Sequence, residues 1–269
     1  MDWKRFGFIA LIIIILFGVV VMIGQVKQPP LLIITSMLAT TIAVATPLTL
    51  GALSGVFCER SGVVNIGIEG MMLTAAFFGW LGAIYMFHIF GLGNGISIAL
   101  GVLFAILTGG LMALLHAALS ITFKVDQIIG GTVINILAVG LTGFLNRQLF
   151  FGHGSVFGGN VPSSPGVLPT IHVPITELFA PICGISATCL QNVQAINRVF
   201  DQKPIAISAI LLVFISHYIL FNTRWGLRTR AVGEHPQAAD TVGINVVKMR
   251  YANVIIGGMF AGLAGAYFT

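Results

Sequence analysis

Apolar runs, each about as long as a bilayer core is thick, recur along this chain and constrain its fold more than any other feature. Runs of that length predict membrane-spanning helices, because a helix satisfies its own backbone hydrogen bonds in hydrocarbon. The expected spans are Phe6–Gly24, Leu31–Gly55, Val63–Phe87, Ile96–Leu119, Ile128–Leu149, Pro204–Phe221 and a last one from Val246 to the end. Composition agrees: 57% of the 269 residues are hydrophobic and 8% charged, against about 25% charged in soluble domains. The fold class expected is an all-α polytopic membrane protein with about seven transmembrane helices in a single domain over 1–269. The first run is too long for a signal-peptide core and lacks a small-residue cleavage site, so it reads as a retained span. The chain stops at Thr269 inside an apolar, glycine-rich helix pattern with no cap, so it reads as truncated at its C-terminus.

Between the fifth and sixth runs lies a different segment, 151–203, with Pro162, Pro165, Pro169, Pro174 and Pro181 inside it. Its most apolar part, Leu178–Leu190, is too short to span and reads as interfacial or folded back. Basic residues set the orientation. With the N-terminus inside, the inner segments hold Lys4, Arg5, Arg60, Lys124, Arg224, Arg228, Arg230, Lys248 and Arg250; the outer ones hold Lys27, Arg147, Arg198 and Lys203. The N-terminus and the loop 222–247 are therefore expected in the cytoplasm, and 151–203 outside. The net charge of +5 is then a topology signal rather than a nucleic-acid footprint. Cys58, Cys183 and Cys189 make no disulfide framework and read as small apolar fillers.

Polar residues inside apolar runs are costly and mark pathways or helix contacts. Glycines punctuate Gly51–Met72, which suggests close backbone approach or a broken helix. Within it Asn65 and Glu69 are four residues apart, so they are expected to share one helix face. Glu69, about two turns into the third span, is either a pathway group or a structural carboxyl bonded to a neighbouring helix. Glu59 and Arg60 fit a cytoplasmic turn or a discontinuous helix equally well. Asn135, beside Thr132 and Gly131, is a further buried polar candidate and suits a helix-to-helix bond. The six histidines are scattered, and no pair has metal-ligand spacing. The small residues of Gly257–Gly265 allow tight helix packing.

Arg224–Arg250 carries seven of the chain's 21 charged residues. Pro236 stands at a first helical position and Gly243 at a stop, so a short helix on a polar loop is expected. The chain contains no GxxxxGK[ST], no nucleophile elbow and no HExxH. An enzyme is therefore not expected, and uphill transport would draw on an ion gradient or on another subunit.

Two long motifs, in order, carry a resemblance. RAVGEHPQAADTVGIN (230–245) resembles the cytoplasmic coupling loop of ABC-transporter permeases of the branched-chain amino acid and ribose importer family. GVFCERSGVVNIGIEGMML (55–73) and DQIIGGTVINILAVGLTGFL (126–145) are similar to the nucleoside-importing branch, which works with a binding lipoprotein of the basic-membrane-protein type. The resemblance implies a permease subunit in the bacterial plasma membrane that passes a small polar solute, and its nucleoside-importing branch implies a nucleoside. Implied partners are a second permease forming a heterodimer, two ATPase subunits and an external binding protein. ATP would be used by the partner, with no cofactor bound by this chain. Arg228, Arg230, Glu234, Pro236, Asp240 and Gly243 would then serve ATPase coupling, and Asn65, Glu69 and Asn135 would line or support the solute path. A carrier or channel working alone, with Glu69 as its proton or ion site, stays open as a second class.

Overall fold

The computed structural model describes residues 29–151, 162, 164–171 and 187–268. The expected first span, Lys4, Arg5, Cys183 and most of Leu178–Leu190 lie outside the described residues. Nine α-helices are described: α1 Pro30–Arg60, α2 Ile68–His88, α3 Asn94–Ala117, α4 Gln127–Asn146, α5 Ala187–Phe200, α6 Pro204–Asn222, α7 Arg224–Glu234, α8 Pro236–Thr241 and α9 Val246–Ala266. Turns of π-helix extend α3 through Thr122 and α4 through Phe151. Among the described residues the one β interaction is an isolated bridge between Ile171 and Gln202.

Five helical stretches have the length and apolarity to cross a membrane: Pro30–Arg60, Ile68–His88, Asn94–Thr122, Gln127–Phe151 and Pro204–Asn222. The chain is a multi-pass integral membrane protein. The seventh expected span is also a helix, α9, of 21 residues. Arg250, Tyr251 and Asn253 make its first half less apolar.

The chain divides into two compact units, Met1–Ile42 with Thr170–Gln202, and Ala43–Pro169 with Lys203–Thr269. In the first, the Asn197 amide at the end of α5 donates to Asp201 Oδ2 (3.2 Å), and the Ile171 N–H donates to the Gln202 carbonyl (3.0 Å). Cys189 is disulfide-bonded, which corrects its reading as an apolar filler: spacing alone gave no sign that a second thiol lies within reach.

The second unit is built on close helix approach. Glycines on α9 meet glycines on α3, and a Cβ on Gly262 would stand 2.6 Å from the Ala105 carbonyl oxygen. Only hydrogen fits there, so α9 lies against α3 at backbone distance. The small-residue run Gly257–Gly265 thus packs helices, as its composition suggests. Two apolar cores fill the unit. Cys58, Val63, Met71, Met112, Ala113, Ile134 and Val254 form one. Leu50, Leu53, Ala75, Ala105, Ile205, Ala209 and Ala264 belong to the other.

Candidate functional site

The helix pattern breaks between α1 and α2. Arg60 ends α1, Ser61 and Gly62 turn, and Val63–Ile66 run non-helically until α2 starts at Ile68. Backbone outside a helix is tolerated in a membrane region only where its polar groups find partners. Here they do. The Val64 N–H donates to the Gln127 side-chain oxygen (2.7 Å), and the Val64 carbonyl lies 3.1 Å from His116 Nε2. The Ile66 carbonyl accepts from the Asn135 amide (3.2 Å), and the Gly70 N–H donates to Asn135 Oδ1 (2.8 Å). The Gly67 N–H donates to Asn65 Oδ1 (3.0 Å). Asn135 lies eight residues into α4, about 12 Å along the helix at 1.5 Å per residue. The break therefore runs from the first residue of α4, where Val64 meets Gln127, to about two turns along it, where Ile66 meets Asn135.

This geometry corrects two expectations. Asn65 and Glu69 do not share a helix face, because Asn65 precedes α2 and folds back on the break. Glu69 is the second residue of α2, not two turns in, and is exposed. Among the described residues it makes no hydrogen bond or ion pair. A carboxylate in a first helical turn is favoured by the helix dipole, and α2 has no side-chain cap to compete with it. Asn135 bonds helix to backbone across the unit. Glu59 and Arg60 form the last turn of α1 directly before the break.

The segment 224–250 is not a polar loop carrying one short helix. Its first eleven residues form α7, capped by Thr223, whose hydroxyl accepts from the Gly226 N–H (3.2 Å). Val232, Ala239 and Met249 form a small core joined by Trp225, Ala231, Ile244 and Val246. Thr229 and Asn253, both fully buried, pin α7 to α9: Asn253 Nδ2 donates to Thr229 Oγ1 (3.1 Å) and to the Met249 carbonyl (2.7 Å). The expected short helix is present as α8, with Pro236 in its first turn. Gly243 follows at φ +83°, and its N–H donates to the Asp240 carbonyl (2.9 Å). α7, α8 and the start of α9 thus form a folded bracket. Glu234 ends α7 and is exposed, and α8 has no side-chain cap, so Glu234 does not cap it. Arg228, Glu234 and Asp240 are exposed, whereas Arg230 is half-buried with its guanidinium 5.2 Å from the Phe221 ring centre. Arg60 approaches the same ring at 5.9 Å.

Bracket and break touch. Gly233 of α7 lies against the Arg60 carbonyl, where any Cβ would collide with that oxygen. Gly62 sits opposite at φ +80°, and a Cβ on it would stand 3.3 Å from Gly233 Cα. From α9, Arg250 Nε donates to the Ser61 carbonyl (3.2 Å). His116, Gln127, Gly233, Arg250 and the Thr229–Asn253 pair were not singled out in the sequence. Their partners lie 24 to 189 residues away, and no local pattern announces them.

Beyond Glu69, one face of α2 opens to a groove shared with α4. Leu73, Ala76, Phe77 and Trp80 line it from α2, and Thr142, Gly143 and Asn146 from α4. Ser164, Val167 and Phe268 complete it, around a volume of about 580 Å³.

Comparison with known proteins places this arrangement. Residues 37–269 match the family described as branched-chain amino acid transport system / permease component. The guanosine ABC transporter permease protein NupQ of Bacillus subtilis (strain 168) is 40% identical over 242 residues, 88% of this chain and 68% of that protein. The nucleoside ABC transporter permease protein NupC of Lactococcus lactis subsp. cremoris (strain MG1363) is 34% identical over 86% of this chain and 66% of its own length. The putative glucose ABC transporter permease protein TsgC13 of Haloferax volcanii is 35% identical over 87% of this chain and 62% of its own length. The chain spans about two thirds of the length of these relatives. No solved structure matches. With the family's pattern running over 233 of 269 residues, this chain belongs to the branched-chain amino acid transport system permease family.

Proposed function

We propose that this chain is a membrane-spanning subunit of an ATP-driven importer that passes nucleosides inward. The observation that carries the coupling half of this reading is the contact between bracket and break: Gly233 against Arg60, and Arg250 bonded to Ser61. A folded bracket is rigid enough to act as a lever, and its inner end meets the irregular backbone of the break. The solute half rests on the relatives named for guanosine and nucleosides. The partners are a second permease, two ATPase subunits and an external binding protein. ATP is bound and hydrolysed by the ATPase subunits. Arg228, Glu234 and Asp240 offer exposed charges to the ATPase, Pro236 and Gly243 shape α8 between its turns, and Arg230 holds the bracket to α6. Asn65 and Asn135 support the break, and Glu69 lines the solute path. The bracket faces the cytoplasm of a bacterial inner-membrane protein, and the disulfide at Cys189 suits the oxidising outer side. A carrier acting alone is not favoured, because the family is one of permease components.

The test is purification from the native membrane with identification of co-purifying subunits, followed by guanosine uptake in proteoliposomes. Uptake that needs ATP, the ATPase partner and the binding protein is expected. Uptake by this chain alone on a proton gradient would overturn the reading.

A further inference from the structure

The groove between α2 and α4 combines aromatic walls with neutral polar groups. Phe77, Trp80 and Phe268 give it aromatic walls, while Thr142, Asn146 and Ser164 supply polar groups. Its volume of about 580 Å³ falls within the range of small-molecule clefts, roughly 300–1,000 Å³. Trp80 is held from behind by Phe150, ring centres 5.0 Å apart. The Thr142 hydroxyl donates to the Ala138 carbonyl (2.7 Å) and keeps its lone pairs for another partner. Asn146 is half-buried, and among the described residues its amide makes no hydrogen bond, although an amide offers two donors and an acceptor. The lining contains no charged side chain. Arg147 opens instead onto a neighbouring groove with Phe144 and Gln148. Glu69, Leu73, Ala76 and Trp80 recur at helical spacing, so Glu69 lies at the inner end of the same α2 face.

We propose that this groove is a recognition subsite for a neutral, flat, ring-bearing solute, whose ring lies against Phe77 and Trp80 and whose polar edge meets Asn146. Aromatic walls with a few placed polar groups suit such a solute. A phosphorylated one is disfavoured, because its charge would lose water and find no cation in the lining. The subsite rests on the importer reading for its substrate class.

The experiment uses the complete transporter in lipid nanodiscs, without binding protein, labelled by light with 8-azidoguanosine. Adducts are expected on peptides of α2 and α4 that line the groove, with protection by guanosine and none by guanosine monophosphate. Asn146→Ala removes a side chain that makes no hydrogen bond among the described residues, so normal abundance is expected and is checked by immunoblot. It should raise the guanosine concentration for half-protection by roughly three- to tenfold, the scale of one lost hydrogen bond. Phe77→Leu should weaken protection as well. Adducts confined to other segments, equal protection by the monophosphate, or unchanged protection in Asn146→Ala would each overturn the subsite. Wild-type transporter that shows no ATP-dependent guanosine uptake would instead count against the importer reading, and the labelling pattern still decides the groove.

Discussion

Asn135 answers two backbone groups at once, the Gly70 N–H and the Ile66 carbonyl. Truncating it leaves both without that partner at a half-buried site, at a cost of about 1 kcal/mol, the low end for a stranded backbone group. Asn135→Ala should therefore lower the melting temperature of the purified permease, and a melting curve unchanged from wild type would show that the break does not depend on this side chain. Glu69 is the contrasting case. It bonds nothing among the described residues and its charge gains only the dipole term of an exposed first turn, about 0.3–1 kcal/mol, so Glu69→Gln should lower the melting temperature less than Asn135→Ala does while guanosine uptake falls. Normal uptake at normal membrane abundance would remove Glu69 from the solute path. Both residues stood out in the sequence because polar groups are costly inside apolar runs. Their geometry was not legible. The four-residue spacing of Asn65 and Glu69 means a shared face only if the helix is continuous, and it is not, because backbone partners from α3 and α4 satisfy an opened segment. Those partners, His116 and Gln127, read locally as an isolated histidine and a polar loop residue.

At the scale of elements, the bracket behaves as one body. α8 was legible because Pro236 and Gly243 mark its ends by backbone chemistry. α7 was not, because Gly226 and Gly233 weaken a helix pattern and its charges resemble a solvated loop. Contacts of Trp225, Ala231 and Val232 with α8 and α9 override that weak propensity, and Thr223 was the overlooked start signal. Two substitutions test the bracket. A Cβ at Gly243 meets no neighbour, so the cost of Gly243→Val is conformational. A branched side chain at φ +83° is strained by about 1–2 kcal/mol. This variant should disturb the exit from α8 and reduce uptake more than membrane abundance. A pull-down of the ATPase beside an uptake assay, both at wild-type level, would reduce 224–250 to a connecting segment. Arg250→Ala removes the bond to the Ser61 carbonyl, whereas Arg250→Lys retains a donor on a long stem. Uptake should fall in the first and recover partly in the second, and equal uptake in both would deny the bond a role.

Across the whole molecule, the apolar runs foretold helices close to α1–α4 and α6, since membrane length and hydrophobicity leave one solution for such segments. The orientation proposed from the basic residues has the bracket facing the cytoplasm. A cysteine at Gln237, in a variant lacking the native cysteines, should resist an impermeant thiol reagent added to intact cells and react in inside-out vesicles. Labelling from outside would invert the molecule and separate the bracket from any cytoplasmic ATPase. On the proposed coupling, motion of the bracket reaches the break through the Gly233 contact. The decisive measurement is guanosine moved per ATP hydrolysed, in proteoliposomes holding the assembled transporter with Gly233→Ala. A Cβ there collides with the Arg60 carbonyl and forces bracket and break apart. Normal ATPase association and continued hydrolysis with little guanosine moved are expected, whereas a wild-type ratio of guanosine to ATP would show that this contact does not transmit the motion.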